Sequence, residues 1–256
     1  MAAPLGAVIR GLDVTSVDGR VWKKLNDLFC KHHVLVFPGQ KLTPEQHMAF
    51  AANWGELVRH PYSAMADYPQ IIELTNAGKK RDVNQHWHSD MTYNPTPPKL
   101  TMLYAHAAPE FGGDTAFSNQ ILAYQALSDG LKKVVDDLHA EHSAEGLAAL
   151  YGADQKAASR AVHPVVRTHD ENGERALYVC KAFTRRFVGW SREESVALLD
   201  YLFKHAQREE FQARHKWRAG DLVMWDNRAL LHYAVHDHGD EPRVIHRLQV
   251  EGPVPV

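Results

Sequence analysis

"DLVMWDNRALLHYAV", residues 221–235, holds two apolar runs of strand length separated by the polar break Asp226-Asn227-Arg228. Short apolar runs bounded by turn formers read as buried strands, and Ala219-Gly220-Asp221 supplies such a turn just before the first run. Working outward, similar runs recur in both directions. "FQARHKW" (211–217) precedes the stretch and "RVIHRLQV" (243–250) follows it, while "VLVFPGQ" (34–40), "QIIELTN" (70–76), "KLTMLYAHA" (99–107) and "ALYVCKAF" (176–183) lie earlier in the chain. Many short strands joined by turns predict a sandwich or barrel, a mainly β fold with flanking helices.

The helices announce themselves by their ends. "VWKKLNDLFCKHH" (21–33) places Val21, Leu25, Leu28 and Phe29 on one stripe. "TPEQHMAFAANWG" has Thr43 as N-cap, Pro44 at the first helical position and Gly55 as the stop, and "SREESVALLDYLFKHAQ" opens on a Ser191/Glu194 capping box. "NQILAYQAL" (119–127) and "DGLKKVVDDLHAEHS" (129–143) also read as helical. Residues 144–162 are weakly periodic and are expected to form an insert or lid, and the polar run "AGKKRDVNQ" suggests a second lid loop at 76–86. With neither an internal repeat nor a linker, the 256 residues are expected to form one domain.

Composition narrows the function classes. A net charge of -2 provides no basic field for nucleic acid, and no apolar run approaches the roughly 20 residues of a membrane span. The start of the chain lacks the pattern of a signal peptide, and Cys30 and Cys180 read as small buried hydrophobes, so a reducing cytoplasm is the expected compartment. Most of the 17 histidines, His33, His47, His106, His169 and His205 among them, are set aside as surface or structural residues.

Chemistry concentrates in "QHWHSDMTY" (85–93). In an extended strand His88 and Asp90 share a face, and an imidazole and a carboxylate so placed can take adjacent corners of a metal's coordination sphere. Alone, this motif is more readily a surface turn or a chance match; it needs a third ligand. His232 is the candidate, since it shares a face with Leu230 and Ala234 in an otherwise small apolar strip. Two histidines and one carboxylate leave about half of an octahedral site open, which suits non-haem Fe(II), whereas zinc prefers a closed site or a third nitrogen or sulfur. On "RVIHRLQV", Arg243 and Arg247 alternate onto one face about 13 Å apart at roughly 3.3 Å per residue. If that face is inward, two cations need two anions; if it is an edge, both are solvated.

Taken in order, "VLVFPGQ", "WHSD", "GGDT", "WDNRALLHYAV" and "RVIHR" resemble the taurine/aryloxyalkanoate (TauD/TfdA) family of Fe(II)/2-oxoglutarate-dependent dioxygenases. The resemblance spans nearly the whole chain and implies a double-stranded β-helix (jelly-roll) core with His88, Asp90 and His232 as iron ligands. It further implies that Arg243 and Thr115 hold 2-oxoglutarate, that Arg247 grips the substrate's acidic head, and that His60, Asn84 and Phe183 line the substrate pocket. One departure is that Ser63 stands where taurine dioxygenase has a tyrosine. The implied cofactors are Fe(II), 2-oxoglutarate and O2. The implied reaction is hydroxylation of a small anionic substrate next to a heteroatom, as with taurine or an alkylsulfonate releasing sulfite and an aldehyde. Ether cleavage of an aryloxyalkanoate and alkylsulfatase chemistry are the alternatives within the family, and a non-catalytic jelly-roll binding protein or a zinc hydrolase the alternatives outside it. The expected partners are that substrate and further copies of the chain.

Overall fold

The computed structural model describes residues 5–60, 64–75 and 86–256. In chain order the strands are β1 (Ala7–Val8), β2 (Val34–Phe37), β3 (Ile72–Thr75), β4 (Leu100–Ala107), β5 (Thr115–Asn119), β6 (His139–Ser143), β7 (Arg160–Pro164), β8 (Val166–Thr168), β9 (Arg175–Leu177), β10 (Thr184–Phe187), β11 (Gln212–His215), β12 (Leu222–Asp226), β13 (Leu230–Ala234) and β14 (Val244–Val250). The helices are α1 (Gly19–His32), α2 (Pro44–Ala51), α3 (Gln120–Gln125), α4 (Asp129–Val135), α5 (Glu145–Leu150) and α6 (Arg192–Ala206).

A six-stranded sheet in the order β1-β2-β12-β4-β14-β3 faces a three-stranded sheet in the order β11-β5-β13. Side chains alternate across a strand, so the large sheet builds two different cores. Val34, Val36, Leu103, Ala105, Val223, Trp225 and Ile245 point inward, where they meet Phe117 and Leu230 of the small sheet. Leu35, Phe37, Met102, Met224, Leu248 and Val250 point the other way and pack under Leu25 and Phe29 of α1 and Phe50 of α2. A third core gathers α3, α6 and the β10-β6-β7 sheet around Leu177, Phe187, Leu202 and Phe203. The double-stranded β-helix core expected from the resemblance is present.

The caps behave as the sequence indicates. Thr43 and Gln46 form a reciprocal capping box at α2, Ser191 and Glu194 do the same at α6, and Gly55 terminates the turn after α2 at φ 138°.

Several expectations are corrected. "DGLKKVVDDLHAEHS" is helical only to Val135, and its second half is β6, because Ala140 and His142 alternate inward and pair with β7. Strand β7 starts at Arg160, which shortens the expected insert. "ALYVCKAF" is a strand only to Leu177. Arg243 lies just outside β14, and the pairing with β4 shifts register between Val244 and Ile245, so the two arginines do not belong to one regular strand face. Most of the expected lid loop, 76–85, lies outside the described residues.

Candidate active site

Strand pairing assembles the centre. His232 on β13 forms a single antiparallel bridge with His88: the His88 N–H donates to the His232 carbonyl at 3.0 Å, and the His232 N–H to the His88 carbonyl at 2.8 Å. Directly opposed residues project to the same face, so the two imidazoles lie side by side with ring centroids 4.1 Å apart. Their neighbours Trp87 and Tyr233 project to the opposite face and stack at 5.7 Å. A hollow of about 360 Å³ lined by Trp87, Gln212, Arg214 and Tyr233 lies on that far face, away from the imidazoles.

The expected extended geometry through Asp90 is not observed. The chain turns there, and Met91 takes a left-handed conformation at φ 50°. The turn still delivers the carboxylate: Asp90 Oδ1 is 3.6 Å from His88 Nε2 and 3.6 Å from His232 Nε2. One atom from each residue lies within 4.8 Å of the others, and all three residues are buried.

The donor chemistry fits a divalent metal. His88 Nδ1 sits 2.7 Å from the His86 carbonyl, an acceptor, so Nδ1 carries the proton and Nε2 presents its lone pair to the centre. Burial, reinforced by the neighbouring His88, pushes the His232 pKa down to about 3 against the pull of Asp90, so this imidazole is neutral. Burial would raise the Asp90 carboxyl, but the Arg247 charge and the hydrogen bonds that Thr101 and Gln249 donate to Oδ2 oppose it. Two imidazole nitrogens and one carboxylate are the hard and borderline donors that Fe(II) accepts.

A second buried cluster, His33, His169 and Asp226, brings its ligand atoms equally close but has a different chemistry. Arg228 clasps Asp226 through Nε at 2.8 Å and Nη2 at 2.9 Å. His169 accepts the backbone N–H groups of Glu171 and Asn172 at Nδ1, which leaves Nε2–H to donate to Asp226 at 2.8 Å. That imidazole has no lone pair left for a metal. The cluster is a charge-paired structural knot.

The remaining site residues surround the first cluster. Thr115 on β5 pairs with Ala234, two residues past His232, and its hydroxyl oxygen accepts from Trp217 Nε1 at 3.0 Å, which leaves the hydroxyl proton to donate elsewhere. Arg243 donates Nε to the Gly113 carbonyl at 3.3 Å, so it converges with Thr115 on one turn. Arg247 lies on β14, and its buried Nε has no hydrogen-bond partner among the described residues. His60 is 9% exposed, with Nε2 equally unpartnered; burial and then the Arg247 charge push its pKa down to about 4. Phe183 stands edge-on to His88 at 6.0 Å and to Tyr93 at 5.0 Å. Leu147, from α5 within the expected insert, packs against the cluster containing Phe183 and Leu231. Asn84 and Ser63 lie outside the described residues.

Three contributors escaped the sequence reading. Thr101 and Gln249 both bond Asp90, and Trp217 bonds Thr115. Gln249 had a signal, since alternation from Arg247 puts it on the same face of β14. Thr101, a hydroxyl within an apolar strand, had a weaker one. Nothing local marked Trp217.

A family model described as taurine catabolism dioxygenase TauD, TfdA family matches residues 1–249. The chain is 35% identical to an alpha-ketoglutarate-dependent sulfate ester dioxygenase of Pseudomonas putida, with 100% of this chain and 89% of that protein covered. A crystal structure of a taurine dioxygenase from Burkholderia xenovorans superposes with a TM-score of 0.87 at 35% identity, covering 98% of this chain and 89% of the other. The structure of AAD-2 in complex with Mn(II) and N-oxalylglycine gives a TM-score of 0.87 at 30% identity, over 100% and 98% of the two chains.

Proposed function

The chain belongs to the taurine catabolism dioxygenase TauD, TfdA family, and from that premise we propose that it oxidises a small organic anion at a carbon next to a heteroatom. It is an Fe(II)/2-oxoglutarate-dependent dioxygenase whose cofactors are Fe(II), 2-oxoglutarate and O2. His88 Nε2, Asp90 Oδ1 and His232 Nε2 hold the metal, and Arg243 with the Thr115 hydroxyl holds the distal carboxylate of 2-oxoglutarate. When bound, iron, 2-oxoglutarate and O2 together supply the oxidising chemistry that hydroxylates a C–H bond while the keto acid becomes succinate and CO2.

The protein's contribution is placement, because an oxidant of this strength attacks whichever C–H bond lies nearest. The observation that carries the substrate reading is Arg247, a guanidinium beside the centre whose buried Nε has no partner among the described residues. A guanidinium so placed calls for an anion, and its planar fork matches a sulfonate, sulfate or carboxylate. His60 beside it, kept neutral by its surroundings, adds a hydrogen-bonding nitrogen without a second fixed charge. Phe183 and Tyr93 form an aromatic wall beside His88, so the carbon skeleton runs along that wall while Arg247 fixes the head. An alkyl sulfonate or sulfate ester satisfies both ends. Hydroxylation of the carbon bearing the sulfur or oxygen gives an unstable product that collapses with release of sulfite or sulfate. The aromatic wall also favours a second reading, an aryloxyalkanoate whose ether bond is cleaved.

The two unpaired cysteines support a cytoplasmic setting, and among the described residues no helix is long and apolar enough to cross a membrane. The test is a screen of substrate-triggered 2-oxoglutarate consumption over alkyl sulfonates, alkyl sulfates and aryloxy acids. Turnover stimulated by none of these anions, but by a neutral or cationic compound, would overturn the proposal.

A further inference from the structure

The three metal-facing atoms account for only one of the two Asp90 oxygens. Oδ1 faces both imidazoles, while Oδ2 turns away and is taken by two buried donors, Thr101 Oγ1 at 2.6 Å and Gln249 Nε2 at 2.9 Å. From this we propose that Thr101 and Gln249 are positioning residues that confine Asp90 to one-oxygen ligation and so keep open the coordination positions that 2-oxoglutarate and O2 require. The inference rests on the reading of Asp90 as an iron ligand.

The restraint is directional and built from β register. Thr101 on β4 pairs with Trp225 of β12 on one side and with Gln249 of β14 on the other, which makes a single row across the floor of the site. An indole can only donate, and Trp225 Nε1 donates to Asn227 Oδ1 at 3.0 Å, which fixes the orientation of that amide. Asn227 Nδ2 therefore donates to Thr101 Oγ1 at 2.9 Å, and Gln249 Nε2 also approaches that oxygen at 3.3 Å. With both lone pairs so engaged, the Thr101 hydroxyl has its proton left for Asp90 Oδ2. Ser89 Oγ bonds the Asn227 carbonyl at 2.7 Å and ties the row to the residue preceding Asp90. Every member of the row is buried, so water does not compete.

The consequence concerns site counting. A carboxylate can bind a metal through one oxygen or two. Three protein atoms leave about half of an octahedron free, and a chelating keto acid with O2 fills that half. A two-oxygen Asp90 would occupy a position the keto acid needs. Freeing Oδ2 therefore costs 2-oxoglutarate affinity more than iron affinity, the opposite of what loss of a ligand does.

The experiment titrates the anaerobic Fe(II) protein with 2-oxoglutarate, following its visible charge-transfer band, alongside a separate Fe(II) titration. Thr101→Val and Gln249→Met should each raise the 2-oxoglutarate Kd by about 10–100-fold, as large as the loss of activity that follows removal of a residue orienting a metal ligand. The Fe(II) Kd should stay level or fall, and Thr101→Ser should restore the parent value. Variants with unchanged 2-oxoglutarate Kd, or ones that lose iron instead, would overturn the proposal. Should a variant fail to fold, the wild-type crystal structure with Fe(II) decides, since Asp90 should ligate through Oδ1 alone and ligation by both oxygens refutes the inference. A wild-type protein that gives no band at all defeats the iron assignment itself, which is a separate outcome.

Discussion

Replacing Asp226 by asparagine separates the two buried His/Asp clusters, which look alike by distance and differ in chemistry. Asp226 is fully buried, bonded by Arg228 through two nitrogens and by His169. Removing one member of a buried ion pair costs about 3–5 kcal/mol because the other charge is left uncompensated. Arg228 keeps Asp170 at 3.1 Å and Glu171 at 2.5 Å near the surface, which places the expected loss at the lower end, about 3 kcal/mol. For a chain of this size each kcal/mol moves Tm by about 2–4 °C, so Asp226→Asn should melt about 6–12 °C below wild type. Burial raises the Asp226 carboxyl, but Arg228 and His169 overcome it and hold it well below its ordinary range. Its stabilising contribution is thus complete above the unfolded-state value of about 3.9 and is lost as pH falls below it, so the Tm gap should narrow on acidification. Fe(II) binding should be preserved. Asp90→Asn should instead abolish tight Fe(II) binding. Scanning calorimetry over a pH series, with an Fe(II) titration of each variant, checks both. Loss of iron in Asp226→Asn, or an unchanged Tm, would refute the assignment of this cluster to structure.

Arg247→Gln should raise the KM for the anionic substrate by about 30-fold or more, the cost of a desolvated charge-assisted contact, while the KM for 2-oxoglutarate stays within a few fold; steady-state kinetics with each substrate varied in turn shows the split. Trp217→Phe removes the donor that orients Thr115 and should weaken 2-oxoglutarate about 2–10-fold, the worth of one hydrogen bond, as read by the same anaerobic titration. His47 is buried on α2 with neither ring nitrogen bonded among the described residues, and burial together with His246 and His106 pushes its pKa down to about 3. The unfolded chain therefore takes up a proton below about 6.5 that the folded chain refuses, so stability falls as pH drops from that value toward the folded pKa. His47→Leu should accordingly show a smaller Tm loss than wild type between pH 8 and pH 5, and an identical loss would count against the argument.

Much of this molecule is legible locally. Continuous apolar runs such as "VLVF" and "LVMW" state their own two-faced burial, and Thr43, Ser191 and Gly55 mark helix ends wherever the helices pack. The identities of His88, Asp90 and His232 supply donors suited to a metal with open positions, because donor type belongs to the residue, but His33, His169 and Asp226 carry the same donor types and do not form such a site. What a one-dimensional pattern cannot carry is who stands opposite whom. The His88–His232 bridge joins residues far apart in sequence, and it alone aligns the imidazoles. The same holds for Thr101, whose role depends on the neighbours that β12 and β14 place beside it. The turn at Asp90 replaced the expected extended strand because Thr101 and Gln249 bind the carboxylate, and the half of "DGLKKVVDDLHAEHS" that became β6 did so because β7 offered it backbone partners. Local sequence determines propensity, face and donor chemistry; register, hydrogen-bond direction and the choice between two similar His/Asp clusters were decided by tertiary structure, since each is a relation between strands and not a property of either one.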